Sequence, residues 1–150
     1  MKKAPSSLLL LDVNVLLSLA WPNHQFHQAA TKRLERSGDS WATCALTQLG
    51  FIRLSSTPAA VQATKSPAEA AALLAAMVSD PLHVYLDTMP QPAGTGYLQA
   101  FGKILGSKQV TDAYLVELAH HHQATFLTFD TKLRELAGSA SDVEIIGPTG

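Results

Sequence analysis

The sequence predicts an α/β fold: a three-layer α/β/α sandwich with a central, mostly parallel five-stranded sheet. Three observations predict it. Short runs such as Leu8-Leu9-Leu10-Leu11 are apolar throughout rather than alternating, as in strands buried on both faces. These runs alternate with longer segments of helical character, the pattern of βαβ units. Two of the runs end directly at an aspartate, Asp12 and Asp130, and the carboxyl edge of a parallel sheet is where open α/β folds place their ligands.

Composition narrows the class. At 150 residues the chain is long enough for one domain with a real core, and 1–150 reads as a single domain without repeat or linker. Hydrophobic residues make up 47% and charged residues 15%, which excludes a disordered or fibrous chain. A formal charge of −1 excludes a polybasic nucleic-acid surface, but not a nuclease whose metal ion supplies the positive charge. Cys44 is the single cysteine, so no intrachain disulfide forms, in keeping with a reducing compartment. Met1-Lys2-Lys3 before leucines imitates a signal peptide, yet the apolar core before Asp12 is only Leu8 to Leu11, with no convincing cleavage site. No stretch approaches the ~20 apolar residues of a membrane span. A soluble, cytoplasmic protein with no membrane partner is expected.

Element by element, Leu8 to Leu11 is the first strand, and a short helix runs from Val13 to about Ala20 before Trp21-Pro22-Asn23 breaks it. A helix from near His24 to Arg36 carries apolar Phe26, Ala29, Ala30 and Leu34, and Ser37-Gly38 ends it. Trp41 to Cys44 is a short strand, followed by a helix from about Ala45 to Leu54. Ala59 to Lys65 is ambiguous. Ser66-Pro67-Ala68-Glu69 opens a helix with a serine cap, proline at the first position and glutamate at the third, and this helix reaches about Ser79. His83 to Leu86 forms the next strand. Met89 to Gly96 is too rich in Pro and Gly to be regular, and a helix from about Tyr97 to Leu105 follows, with apolar Leu98, Phe101, Ile104 and Leu105. Thr111 to about His122 is a helix capped by Thr111. Ala124 to Thr128 is a strand, Thr131 to Ala137 a short helix, and Val143 to Ile146 the last strand.

This order brings Asp12, Asp112 and Asp130 to one edge of the sheet. Each has a bland alternative: Asp12 and Asp130 as helix caps, Asp112 as a complement to a helix dipole. Together they repel one another unless a cation joins them, which implies a hard, oxygen-liganded metal ion and makes phosphodiester chemistry the leading candidate. Glu117 is five residues past Asp112, on a different helix face, and is expected to be solvated.

The segments Leu10-Leu11-Asp12-Val13-Asn14-Val15-Leu16, Cys44 to Arg53, Val110-Thr111-Asp112-Ala113-Tyr114-Leu115 and Leu127-Thr128-Phe129-Asp130 resemble the PIN-domain ribonucleases, specifically the VapC-type toxins of bacterial toxin–antitoxin pairs. The resemblance spans nearly the whole chain. It implies a PIN-like sheet of five parallel strands and Mg²⁺ or Mn²⁺ held by Asp12, Asp112 and Asp130. It further implies a water activated for in-line attack on RNA, with 5′-phosphate and 3′-hydroxyl products and inhibited translation. A cognate antitoxin covering the acidic pocket, by a C-terminal segment with a basic side chain, and a homodimer are implied as partners. The helical surface around Phe26 to Leu34 or Ala70 to Met77 is expected to serve the dimer.

One departure from the family stands at Gln48, where many members carry glutamate. Its amide offers a carbonyl oxygen as an outer or weak inner ligand, but no charge. Asp87 is the topological substitute, with a strand-end turn as its preferred role. Asn14 either orients a metal-bound water, bonds Asp12, or caps the first turn. Thr128, two residues before Asp130, either bonds a site carboxylate or phosphate, or is simply a strand former. Arg53 as a phosphate contact is not favoured over a surface role.

His120-His121-His122 point in different directions around a helix, so they do not chelate one ion and are expected to be solvated. His24 and His27, three apart on one face, lack further zinc ligands. Trp21, Phe26 and Trp41 are expected in the core or an interface. Asp12-Val13-Asn14 lacks the second aspartate of haloacid-dehalogenase-like phosphatases, and no glycine-rich phosphate loop is present. Two alternatives stand beside a toxin: a catalytically silent RNA- or protein-binding PIN module, and a housekeeping RNA-processing nuclease without an antitoxin.

Overall fold

The structure is a computed structural model that describes residues 7–58, 65–102, 104, 106–138 and 142–147. The signal-peptide mimic at Met1 to Lys3, most of the ambiguous Ala59 to Lys65 segment, and Lys103 and Leu105 of one expected helix lie outside these residues. Strand β1 (Leu8–Leu11) and helix α1 (Val13–Ala20) are separated by Asp12 alone. Helix α2 (His27–Ser37) begins later than expected. The Pro22-Asn23 break is followed by two turns, His24 N–H to the Trp21 carbonyl and His27 N–H to the His24 carbonyl, which occupy the residues before it. Gly38 ends α2 at φ 64°, the left-handed conformation glycine favours.

Strand β2 (Ser40–Thr43) and helix α3 (Ala45–Ser55) lie within a residue of expectation. Helix α4 (Pro67–Met77) starts on the reciprocal bonds between Ser66 and Glu69 that its sequence promised, at 2.9 and 3.1 Å. Strand β3 (His83–Tyr85) leads through a proline-rich loop to helix α5 (Thr95–Phe101), which begins at Thr95 after Gly94 rather than at Tyr97. A 3-10 turn (Ser107–Gln109) runs into helix α6 (Val110–His121). Thr111 is therefore inside the helix and does not cap it. Strand β4 (Thr125–Thr128) is followed by a 3-10 segment (Thr131–Leu136) in place of the expected α-helix, and β5 (Val143–Ile145) completes the sheet.

The five strands lie in the order β3-β2-β1-β4-β5, and each neighbouring pair is parallel. Side chains alternate between the faces of the sheet. Leu10 and Phe126 point to the face covered by α5 and α6, packing with Tyr97, Tyr114, Leu115 and Leu118. Leu9, Leu11 and Leu127 point to the other face, packing with Val15, Leu16, Phe51 and Leu74 of α1, α3 and α4. These leucines are fully enclosed, and each contributes roughly 1.5–3 kcal/mol by leaving water.

Two local devices fix the helices. Gly50 lets α3 approach α1 closely, because a Cβ there would stand 2.8 Å from Val13 Cγ2, and the β-branched Val13 has little rotamer freedom to yield. Arg33 of α2 reaches the sheet: its Nη2 donates to Glu144 Oε1 at 2.9 Å, its Nε donates to Glu144 Oε2, and its Nη1 donates to Asp39 Oδ2 at 3.2 Å. One guanidinium thus ties α2 to β5 and to the residue before β2.

The helices expected to serve a dimer are used inside the molecule on one side only, with Ala71, Ala72, Ala75 and Ala76 of α4 exposed on the other. Ala29 and Ala30 of α2 and Ala70 and Leu74 of α4 are buried, with Leu34, Leu73 and Met77 packed against the same core. Among the described residues the exposed large apolar side chains are Leu46 and Leu49 on α3, Leu82, Val84 and Tyr85 at the β3 edge, Leu98 on α5, and Val110. Leu98, expected among the packing residues of its helix, is 59% exposed.

Removing Arg33 leaves Asp39 and Glu144 without their shared cation in a largely enclosed site. Arg33→Ala is expected to lower the unfolding free energy by about 3 kcal/mol, the scale of a broken buried pair. Urea denaturation checks this, and a loss below about 1 kcal/mol would place the cluster among solvent-screened surface pairs.

Candidate active site

The register of the sheet builds the centre of the site. Leu11 pairs with Leu127, and the Asp12 N–H extends the ladder by donating to the Leu127 carbonyl at 2.9 Å. Asp12 therefore lies beside Thr128, both on the face toward α6. The Thr128 hydroxyl donates to Asp12 Oδ2 at 2.7 Å, and Thr128 Oγ1 in turn accepts the Asp130 N–H at 3.1 Å. One threonine thus fixes the Asp12 rotamer and the turn that carries Asp130. Of the two readings open to Thr128, the structure supports the bond to a site carboxylate.

Asp12 occupies the cap position of α1, where the first-turn backbone at Val13 and Asn14 favours its charge, although no full side-chain cap hydrogen bond forms. Only 8% of it is exposed. Burial raises its pKa above the ordinary value, Asp130 adds repulsion, and the Thr128 hydroxyl and the backbone at Val13 and Asn14 act in the opposite direction. Asp112, in the first turn of α6, is pushed up to about 6, first by burial and then by the charges of Asp12 and Asp130. Asp130 is exposed, and its Oδ1 accepts the Lys132 N–H at 2.9 Å, so it caps the 3-10 segment as well as joining the acidic edge.

The three acids are therefore electrostatically coupled, and no lysine or arginine is among the groups that set the proton affinity of Asp12 or Asp112. They do not form a finished cage. Among the described residues no three histidine, cysteine, aspartate or glutamate side chains are grouped to hold an ion by themselves. The donor chemistry nevertheless suits a hard divalent cation, since Mg²⁺ commonly takes one or two carboxylates, keeps several waters and is completed by substrate phosphate.

The remaining expected site residues fare differently. Gln48 Nε2 donates to Thr43 Oγ1 at 3.0 Å, and that hydroxyl also lies 2.8 Å from His83 Nε2. Its nitrogen is thus engaged by strand ends rather than by an acid. Asn14 is exposed, and the described hydrogen bonds do not join its side chain to Asp12. Asp87 is exposed at the end of the β3 segment and is absent from the charges that perturb Asp12 and Asp112. Arg53 is exposed. Glu117, expected in solvent, is half-buried, and its charge adds a little to the rise in the Tyr97 pKa that burial chiefly causes.

The histidine tract does not converge. His120 Nδ1 pairs with Asp142 Oδ1 at 3.0 Å, while His122 Nε2 donates to the Thr88 carbonyl at 2.8 Å. Sequence reasoning missed the Thr43–His83 pair that receives Gln48, and an aromatic stack at Phe129. The adjacency of Phe129 to Asp130 was the available signal for the second.

A five-stranded parallel α/β sheet with electrostatically coupled aspartates at its carboxyl edge is the class of fold and site that these residues define. Comparison with known proteins identifies the family. The family PIN domain matches residues 9–139, and the chain belongs to this family. It is 39% identical over 140 residues to a protein named Ribonuclease VapC39 of Mycobacterium tuberculosis, covering 91% of this chain and 98% of that one. It is 33% identical over 141 residues to Ribonuclease VapC29 of the same organism, covering 94% and 97%. Among solved structures, a toxin–antitoxin complex from Klebsiella pneumoniae aligns with a TM-score of 0.64 at 15% identity, over 94% of this chain and 99% of that one. VapBC2 from Rickettsia felis, bound to a DNA fragment from its promoter, aligns at 0.60 and 14% identity, over 92% and 98%. Both share the fold. No helix among the described residues is long and apolar enough to cross a membrane.

The raised Asp112 pKa sets a pH dependence. The folded chain keeps this proton up to about pH 6, whereas the unfolded chain releases it near 3.8. Ionising Asp112 in the fold opposes stability, so without divalent cations stability falls as pH rises from about 4 through about 6. Asp112→Asn is neutral throughout and loses that component. Thermal melts in EDTA across this window check the difference; parallel wild-type and variant curves would contradict it.

Proposed function

We propose that the chain is a Mg²⁺- or Mn²⁺-dependent endoribonuclease, the toxin of a type II toxin–antitoxin pair, which inhibits translation by cutting RNA. The observation that carries this reading is the set of coupled carboxylates at Asp12, Asp112 and Asp130 without a basic counterion. Its occurrence in a chain 39% identical to one named Ribonuclease VapC39 supports the substrate class.

Asp12, Asp112 and Asp130 would hold the ion. When bound, Mg²⁺ or Mn²⁺ lowers the pKa of a water and offsets charge on the phosphate. The protein's own part is positional. Thr128 holds Asp12 against rotation, and the same hydroxyl oxygen anchors the backbone of Asp130. Asp112, with a pKa of about 6 in the free chain, stands ready to give up its proton when positive charge arrives. Gln48, bonded to Thr43, adds no charge at its corner and serves as an outer contact at most.

An antitoxin is the proposed partner, and a homodimer the proposed assembly. A groove of about 400 Å³ lies beside the acidic edge, walled by Leu46, Met89, Phe101, Val110 and Tyr114, with Thr111 on its rim next to Asp112. Leu49 stands 64% exposed on the same helix as Leu46. An apolar segment seated here with a basic side chain over the carboxylates would cover the site.

Purified chain is expected to cut a mixed RNA pool in Mg²⁺ or Mn²⁺, to stop in EDTA, and to lose activity by at least about 100-fold in Asp12→Ala. Thr128→Val, which keeps the shape and removes the hydroxyl, is expected to lose roughly tenfold, the scale of about 1.4 kcal/mol for one positioning bond. Metal-independent cutting, or a fully active Asp12→Ala, would overturn the reading. Metal binding without cutting would favour the silent module.

A further inference from the structure

The segment between α1 and α2 encloses a second cavity, of about 370 Å³, whose lining includes His24, Gln25, Phe26, His27 and Gln28. Its aromatic side meets the end of β4 that carries Asp130. The Phe26 ring stacks on Phe129 with centroids 4.5 Å apart and planes at 25°, and His24 lies at 6.3 Å and 22° from the same ring. Phe129 sits between Thr128, which bonds Asp12, and Asp130. A group resting on this stack therefore lies against the strand end that carries Asp130, on the sheet face away from Thr128 and Asp12.

The polar chemistry of the cavity is neutral. Phe26 N–H donates to His24 Nδ1 at 3.0 Å, which leaves the proton of an uncharged His24 on Nε2. Burial and the neighbouring His27 lower the His24 pKa, which favours that uncharged form. His27 Nδ1 donates to the Ser18 carbonyl at 2.7 Å, which makes its Nε2 an acceptor when neutral. Gln25 and Gln28 each add one amide with a donor and an acceptor side. No lysine or arginine lines the cavity. Flat aromatic faces with neutral donors and acceptors at their edge suit a nucleobase, whereas a phosphate would call for cationic side chains.

We propose that His24, Gln25, Phe26, His27 and Gln28, joined to the acids through Phe129, form a nucleobase subsite. It takes one unpaired base of the RNA close to the phosphate that is cut. The base extends the stack on Phe26 and His24, and the two glutamines and His27 read its edge. This rests on the proposed ribonuclease reading, and it assigns selection of the cutting site to the α1–α2 segment rather than to the acids.

The test uses the full chain and short unpaired oligoribonucleotides carrying 2-aminopurine at one position, whose fluorescence falls on stacking. Binding is measured first in Ca²⁺, and cutting of the same oligonucleotides after exchange to Mn²⁺. Wild type is expected to quench the probe at one position near the cut. Phe26→Leu, which keeps apolar bulk and loses the ring, is expected to bind on the order of tenfold more weakly and to lose the quenching. Gln28→Ala, an exposed change, is expected to weaken binding and alter which base is preferred, at an unchanged melting temperature. Binding without quenching at any position, or both variants matching wild type in affinity and cutting sites, would overturn the subsite. Cutting with unaltered site choice in both variants refutes the subsite alone. Quenching that depends on Phe26 without any cutting supports the subsite and refutes the nuclease.

Discussion

The carboxylate of Asp12 is held nearly out of water at the end of a buried strand, and what steadies it within the protein is a hydroxyl rather than a cation. Burial and Asp130 both work against its charge, and only hydrogen-bonding groups oppose them. A fold that keeps such a group, and sets Asp112 and Asp130 at the same edge, holds an electrostatic strain that a divalent cation would relieve in the proposed function. The surrounding architecture maintains that position. The Leu11–Leu127 register sets Asp12 beside Thr128, and the alternation of side chains turns both toward α6, which presents Asp112.

The corner at Gln48 shows how charge is limited. A glutamate there would add a fourth carboxylate to an edge already short of positive charge. The amide instead donates to Thr43, whose hydroxyl meets His83, so the corner is closed by neutral hydrogen bonds that link α3 to β2 and β3. Behind the site, Gly50 brings α3 against α1, and Arg33 fastens α2 to the far strand. The aromatic stack of Phe26 on Phe129 joins the α1–α2 segment to the strand end that carries Asp130.

Much of this was legible in the sequence, for definite reasons. Fully buried strands announce themselves as unbroken apolar runs, which is why Leu8–Leu11 and its aspartate were placed correctly. Ser66-Pro67-Ala68-Glu69 carries its own start signal in side-chain chemistry, and α4 begins there. Turns formed by backbone bonds leave weaker traces. The paired turns through His24 delayed α2, and the 3-10 turn at Ser107–Gln109 moved the start of α6 so that Thr111 lost its expected capping role. Which helical faces are free depends on what packs above them. Composition offered α2 and α4 as dimer surfaces; each buries one side and exposes the other, and exposed leucines also stand on α3, before β3 and on α5. The direction of a single amide, as at Gln48, lies beyond any pattern of residue types.

The most direct measurement of the central claim counts protons. Titration of the chain with Mn²⁺ at pH 6, by calorimetry in buffers of different ionisation enthalpy, reports how many protons leave as the ion binds. The account predicts release of a sizeable fraction of one proton, because Asp112 is about half protonated near its pKa of about 6, with that release abolished in Asp112→Asn. Binding without proton release, or release that persists undiminished in the variant, would contradict the claim that these coupled carboxylates are what the cation answers.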